Sequence, residues 1–229
     1  MDGLEAPKGT FHNGDARRIA AGRQQMLALL RERIDDSRVI DAMASVPREE
    51  FVPPEFRSRA YDDRALPIGE GQTISQPLMV ALMVEALQLR GSDKVLEVGT
   101  GSGYAAAVLA RLAREVVTVE RVAPLLESAR ATLTRLRLNN VHAYLASEHL
   151  GRAEDAPYDA ILVSAGAPHV PRALVDQLAD DGRLVVPIGS RWEQDLVRAH
   201  KTPHGIDLTR LGPCAFVPLI GEEAWEGAR

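Results

Sequence analysis

Val95-Leu96-Glu97-Val98-Gly99-Thr100-Gly101-Ser102-Gly103-Tyr104, followed by Val116-Val117-Thr118-Val119-Glu120, is the stretch whose reading decides the fold. An apolar run ends in three alternating glycines, a helical pattern follows, and a second apolar run ends in a carboxylate. This is the order of a Rossmann-like β-α-β unit. Its glycines let the backbone approach a nucleoside-containing ligand, and an acidic residue about 20 positions on accepts hydrogen bonds from ribose hydroxyls. A dinucleotide fingerprint reads G-x-G-x-x-G, its last glycine bringing a helix N-terminus to a pyrophosphate. Here Tyr104 holds that position and the third glycine comes one residue early, giving G-x-G-x-G. That spelling disfavours a nicotinamide dehydrogenase.

Outward from this unit the strand–helix alternation continues. The pattern predicts strand Val95–Val98, helix Tyr104–Leu112, strand Val116–Glu120, helix Pro124–Leu138 and strand Val141–Leu145. Strand Tyr158–Val163, helix Pro171–Leu178 and strand Arg183–Ile188 follow. Such alternation implies an α/β fold, a doubly wound and mostly parallel sheet covered on both faces. Beyond Gly189, Leu196–His200 and Ala215–Ile220 are expected as closing strands, with Thr202–Gly205 as the turn. Upstream, Ile19, Met26, Leu27, Leu30 and Ile34 fall at helical spacing over Ala16–Ile34. Ser37 reads as the N-cap of a short helix through Met43. Ala60–Gln72 reads as loop, and Ser75-Gln76-Pro77 opens a helix to about Leu89. The expected layout is a disordered tail over 1–14 and one domain over 15–229. That domain divides into a helical segment (15–92), a ligand-binding core (93–190) and C-terminal strands (191–229).

Composition narrows the function. Of 229 residues, 45% are hydrophobic and 26% charged, as in a soluble globular protein. No apolar run reaches the roughly 20 residues that cross a bilayer, and the polar N-terminus lacks the apolar centre of a secretory signal. One cysteine, Cys214, excludes a disulfide framework and a cysteine-based zinc site. The six histidines show no metal-ligand spacing, so no metal is expected. A net charge of −5 argues against a nucleic-acid partner, and the whole points to the cytoplasm.

With Glu97 inside the first strand, the G-x-G-x-G spelling resembles that of class I S-adenosylmethionine (AdoMet) methyltransferases, whose ligand has no phosphate to cradle. From about Ala16 to Gly221 the chain resembles one branch of them, the protein-L-isoaspartate O-methyltransferase family. Val46-Pro47-Arg48, Phe51-Val52-Pro53, Ala60-Tyr61 and Leu66-Pro67-Ile68-Gly69 carry the likeness upstream. Downstream it rests on Ala156–Ile161, Gly182–Gly189 and Phe216-Val217-Pro218-Leu219. Most specific is Gln72-Thr73-Ile74-Ser75-Gln76-Pro77, since the glycine loop alone specifies only an AdoMet site.

The resemblance implies methylation of the free carboxylate of isoaspartyl residues in damaged peptides and proteins. The ester then recloses to a succinimide unaided, giving another chance to reopen as aspartate. AdoMet would be the cofactor and S-adenosylhomocysteine the product. The acceptor is already ionised at pH 7 and the transfer is an in-line displacement, so neither a general base nor a metal is required. By resemblance, Ser75 donates to the acceptor carboxylate, and Thr73, Ile74, Val52 and Pro53 wall the peptide site. Glu97, Gly99, Thr100, Gly101, Ser102, Gly103, Glu120, Ser147 and Glu148 form the cofactor site. An open cleft for varied peptides suggests a monomer. Alternatives are a same-fold enzyme acting on another carboxylate, or an AdoMet-binding homologue with weakened catalysis.

Plainer roles stand beside these. Ser75 also suits a helix cap, Glu120 could pair with Arg121, and Asp159 could simply organise backbone at the sheet edge. Cys214 reads as a small buried apolar residue, while Trp192 and Trp225 are each either exposed anchors or core. Two departures from the family are expected to matter. Ala146-Ser147-Glu148 stands where Gly-Asp-Gly is usual, and losing that aspartate costs about 1.5–3 kcal/mol of cofactor affinity. Glu70 stands where an aromatic is commoner, placing negative charge beside the acceptor loop.

Overall fold

The computed structural model describes residues 13–226, so the tail expected over 1–14 lies almost wholly outside the described residues. The chain opens with helix α1 (Asn13–Arg33) and helix α2 (Ser37–Ser45). The N-cap of α2 is Asp36, not Ser37: its carboxylate accepts from the Arg38 amide at 2.9 Å. Two 3-10 turns, Arg48–Phe51 and Pro54–Arg59, follow. The segment expected as loop instead folds into a hairpin of β1 (Leu66–Gly69) and β2 (Gln72–Ile74). Its two-residue turn, Glu70-Gly71, has φ of 51° and 67°, the positive values that twist-matched hairpin turns demand. Glu70 is therefore an exposed turn residue at the hairpin tip.

Helix α3 (Pro77–Ala86) is apolar except for Glu85, buries seven of its ten residues, and packs against α1 and α2 in one core cluster with Val95 and Val185 of the sheet. The alternating core then runs β3 (Lys94–Val98), α4 (Tyr104–Leu109), β4 (Glu115–Glu120), α5 (Ala123–Arg135) and β5 (Val141–Leu145). After it come β6 (Tyr158–Val163), α6 (Arg172–Asp176), β7 (Leu178–Gly189), β8 (Gln194–Thr202) and β9 (Gly205–Cys214). The seven-stranded sheet has the order β5-β4-β3-β6-β7-β8-β9. Its first five strands are parallel, and β8 and β9 close it antiparallel.

Side chains alternate between two apolar clusters. Val95, Val116, Ala160, Leu162 and Val185 face one with α1–α4, while Leu96, Val98, Val117, Ile161, Val163 and Leu184 face the other. Burial on both faces explains why these strands read as largely apolar runs, interrupted inside β3 by Glu97 and inside β4 by Thr118. At the start of β3, Asp93 and Arg183 of β7 form an ion pair at 2.6 Å, each no more than 8% exposed. The Arg183 guanidinium also donates to the Leu87 carbonyl, binding the end of the α3 region to the sheet.

The last strand differs from expectation. Residues 202–205 do make a turn, but β9 occupies Gly205–Cys214, and Ala215–Ile220 forms only an isolated bridge, Gly166 to Pro218, to the core. Every residue of β9 is at least partly exposed, so its sequence carries no buried face to betray it. No helix among the described residues is long and apolar enough to cross a membrane.

Candidate functional site

Successive strands are added to one side of β3 (β4, then β5) and afterwards to the other (β6, then β7). Between β3 and β6 the order reverses, and a crevice opens beyond the carboxyl ends of the strands, where ligands of open α/β sheets bind. A cavity of about 320 Å³ occupies that place. It is lined by the ends of β3, β4 and β6, by the loops after β3 and β5, by β2 and Ser75, and by Val217–Gly221.

The glycine loop is built by β4. The Gly99 and Thr100 amides donate to the Val119 carbonyl at 2.9 and 3.2 Å, and the Gly101 amide donates to Glu120 Oε2 at 2.8 Å. Glu120 Oε1 accepts from the Val122 amide at 2.9 Å. Glu120 therefore shapes the loop with one lone pair on each oxygen, leaving the others for a ligand's hydroxyls. Arg121 makes no ion pair with it. Gly103 lies behind the loop rather than on the cavity wall. With φ of 87°, a Cβ there would sit 3.3 Å from Ala129 Cβ, so this glycine serves the packing of α4 against α5.

Glu97 is fully buried, yet it lines the cavity. Thr118 Oγ1 donates to its Oε2 at 2.6 Å, and Thr100 Oγ1 stands 2.6 Å from Thr118 Oγ1, making a chain Thr100–Thr118–Glu97. Its other oxygen, Oε1, meets no hydrogen-bond partner of ordinary geometry among the described residues. Burial, with the nearby Glu120 charge in support, pushes the Glu97 carboxyl up to about 8, so it is mostly protonated at neutral pH. A buried carboxyl with one orphaned oxygen beside a second carboxylate suits a cationic, ribose-bearing ligand. The residues present thus fit the sulfonium nucleoside that the sequence implies.

On the opposite wall, Thr73, Ile74 and Ser75 come from β2 and the residue after it. Ser75 does not cap α3. The N-cap is Gln76, without a side-chain bond, and the Leu78 amide is satisfied by Asp63 Oδ1 at 3.0 Å. A cap supplied from 15 residues away leaves the Ser75 hydroxyl free of that duty.

Ser147 and Glu148 reach the cavity, both exposed, with the Ser147 hydroxyl donating to the His149 carbonyl at 3.1 Å. Val52 and Pro53 are not on its wall. Val52 follows the first 3-10 turn and is 6% exposed, packed into the α1–α4 core. Sequence reading missed Tyr104, Ser164, Ala165, His149 and the Val217–Gly221 segment as cavity residues. Ser164 and Ala165 could have been found as the residues just past β6, beside the switch point.

The plainer residues are also placed. Asp159 Oδ2 accepts from the Lys94 amide at 2.8 Å, organising backbone as expected. Cys214 is half-buried, its thiol pushed up to about 11 chiefly by burial. Trp225 packs with its indole donating to the Gly166 carbonyl, while Trp192 is 84% exposed.

Residues 21–224 match the model of the family described as protein-L-isoaspartate(D-aspartate) O-methyltransferase. A protein-L-isoaspartate O-methyltransferase of Roseiflexus castenholzii is 54% identical over 197 residues, covering 86% of this chain and 90% of its own. One of Geobacter metallireducens is 50% identical over 208 residues, covering 90% and 96%. Among solved structures, a protein-L-isoaspartate O-methyltransferase superposes with a TM-score of 0.78 at 31% identity. That match covers 88% of this chain and 66% of the other. A Plasmodium falciparum chain, described as such an enzyme in complex with S-adenosyl-L-homocysteine, gives 0.73 at 28% identity, covering 85% and 96%.

Proposed function

This chain belongs to the protein-L-isoaspartate O-methyltransferase family, and from that premise we propose how its cleft works. The enzyme uses AdoMet to methylate the free carboxylate of L-isoaspartyl residues, the step that commits damaged protein to repair. The observation that carries the reading is one cavity holding both halves of the reaction: Glu97 and Glu120 on one wall, Thr73, Ile74 and Ser75 on the other.

AdoMet supplies an electrophilic methyl group whose bond to sulfur breaks, its electron pair staying on sulfur, as a carboxylate oxygen bonds to the carbon. The chain's own residues bind, align and exclude water. Glu120 takes the ribose hydroxyls on the lone pairs that the loop amides leave free. Glu97, on the cavity wall, would help hold the cationic cofactor, whose positive charge would favour the ionised carboxylate. Ser75 Oγ donates to the acceptor carboxylate, and Ile74 and Thr73 wall the peptide beside it. A carboxylate and a sulfonium become two neutral groups, so a dry cleft that weakens their hydration lowers the barrier. Alignment supplies the rest.

The enzyme acts as a monomer on polypeptide in the cytoplasm; the single cysteine and a charge of −5 fit a reducing compartment and a partner other than nucleic acid. Incubating an isoaspartyl peptide with AdoMet and following it chromatographically tests the repair cycle. The aspartyl form accumulates over successive cycles only when enzyme and AdoMet are both present. Accumulation independent of AdoMet would sink the proposal.

A further inference from the structure

Arg48 is a charged residue with no exposed surface. It lies in the first 3-10 turn, outside the cavity wall, and its contacts reach both sides of the cleft. Nη2 donates to the Ser75 carbonyl at 2.6 Å and Nε to the Ala60 carbonyl at 2.6 Å. The guanidinium lies 4.6 Å from the centre of the Tyr104 ring, which meets Phe51 edge-on at 5.6 Å. Tyr104 is the first residue of α4, directly after the glycine loop, and lines the cavity. The Arg48 amide donates to Tyr61 Oη at 3.3 Å, and that hydroxyl donates to Glu49 at 2.6 Å.

Burying a guanidinium is costly unless its donors are met. Here Nε and Nη2 are met by two backbone carbonyls and the guanidinium lies against an aromatic ring, while Nη1 has no hydrogen-bond partner and no ion pair among the described residues holds the charge. The Ser75 carbonyl lies after the last residue of β2 and before the first of α3, where neither a ladder nor a helix would fix it. Its bond from Arg48 fixes the peptide plane that carries the acceptor serine. The flat guanidinium suits this role because it donates to two carbonyls along one edge while its face rests on a ring. Lysine can match the charge but not that geometry.

We propose that Arg48 is a positioning residue for methyl transfer, clamping the Ser75 backbone to the Tyr104 ring so that the acceptor segment and the cofactor loop keep one register. The proposal rests on the acceptor role of Ser75 given above. In-line transfer is sensitive to such a clamp, since a misplacement of about 1 Å costs on the order of a hundredfold in rate. Arg48 touches neither ligand; its effect passes through Ser75 and Tyr104.

The test compares wild type with Arg48→Lys and Arg48→Gln, each assayed well below its own thermal midpoint so that the folded fraction is near one. Wild-type transfer to an isoaspartyl peptide is the control for the functional reading; if wild type does not methylate the peptide, that reading fails, and the Arg48 inference fails with it. With the control met, Arg48→Lys is expected to lower kcat at least tenfold. S-adenosylhomocysteine affinity, read by calorimetry, stays within about threefold. Unchanged kcat in a folded variant overturns the proposal, and so does a loss confined to cofactor affinity. Should neither variant fold, hydrogen exchange on wild type decides. S-adenosylhomocysteine should slow exchange of the Gln76 and Leu78 amides, which lie off the cavity wall, severalfold through the clamp, and no slowing overturns the proposal.

Discussion

Replacing Glu97 with glutamine should flatten the pH dependence of stability in the ligand-free enzyme. The Glu97 carboxyl is raised from 4.5 to about 8, first by burial and then by the Glu120 charge. Between those values the folded state holds a proton that the unfolded chain has released. Stability from this site is therefore full below about pH 4.5 and is lost as pH rises towards 8. Each pH unit in that window costs about 1.4 kcal/mol per proton. From pH 6 to pH 8 the loss comes to about 2 kcal/mol, slightly less than two full units because titration is half complete at the upper end. Glutamine cannot ionise, and it still accepts from Thr118, so the variant lacks this slope. Urea unfolding at pH 6, 7 and 8, without AdoMet, gives the two curves. All other titrating groups are shared, so the difference between wild type and Glu97→Gln isolates the site. The difference should change by about 2 kcal/mol across the range. Curves that run parallel would refute the reasoning, showing that Glu97 is ionised and solvated in the free cleft.

Ser75→Ala should lower kcat/KM for an isoaspartyl peptide about tenfold to a hundredfold, the worth of one hydrogen bond to a charged group. Because Gln76 and Asp63 manage the start of α3, its thermal midpoint should move by no more than about 2 °C, which calorimetry checks. Ser147→Asp restores a charged acceptor on the cavity wall and should tighten AdoMet binding about tenfold by titration calorimetry; weaker binding would show that this loop does not face the ligand. Asp93→Ala strands the buried Arg183 guanidinium and should cost about 3–5 kcal/mol in denaturant unfolding, far from the site and without effect on AdoMet affinity.

The strands β3, β4 and β6 were legible because burial on both faces leaves few polar residues inside them, Glu97 in β3, Thr118 in β4 and Asp159 in β6. The switch point and most of the cavity follow from their order. What escaped the sequence did so for physical reasons. The β1–β2 hairpin is only four and three residues long, carries Pro67, and has a turn-forming Glu70 in place of the asparagine or aspartate that usually announces such a turn. β9 shows no buried face, so the more apolar Ala215–Ile220 looked like the strand. The α3 cap comes from Asp63, across a turn that no local spacing rule links to Leu78. Gly103 spells part of a ligand loop but answers to Ala129 and Leu133. Arg48 sits in a motif legible by eye, yet only its burial shows that its charge is directed at Ser75 and Tyr104.

Transfer of labelled methyl from AdoMet to an isoaspartyl peptide, run beside the same peptide carrying normal aspartate, tests the proposed chemistry most directly. The isoaspartyl peptide should be labelled rapidly as a base-labile ester, with the aspartyl peptide at background. Equal labelling of both, or of neither while AdoMet binds, would contradict isoaspartyl-specific transfer.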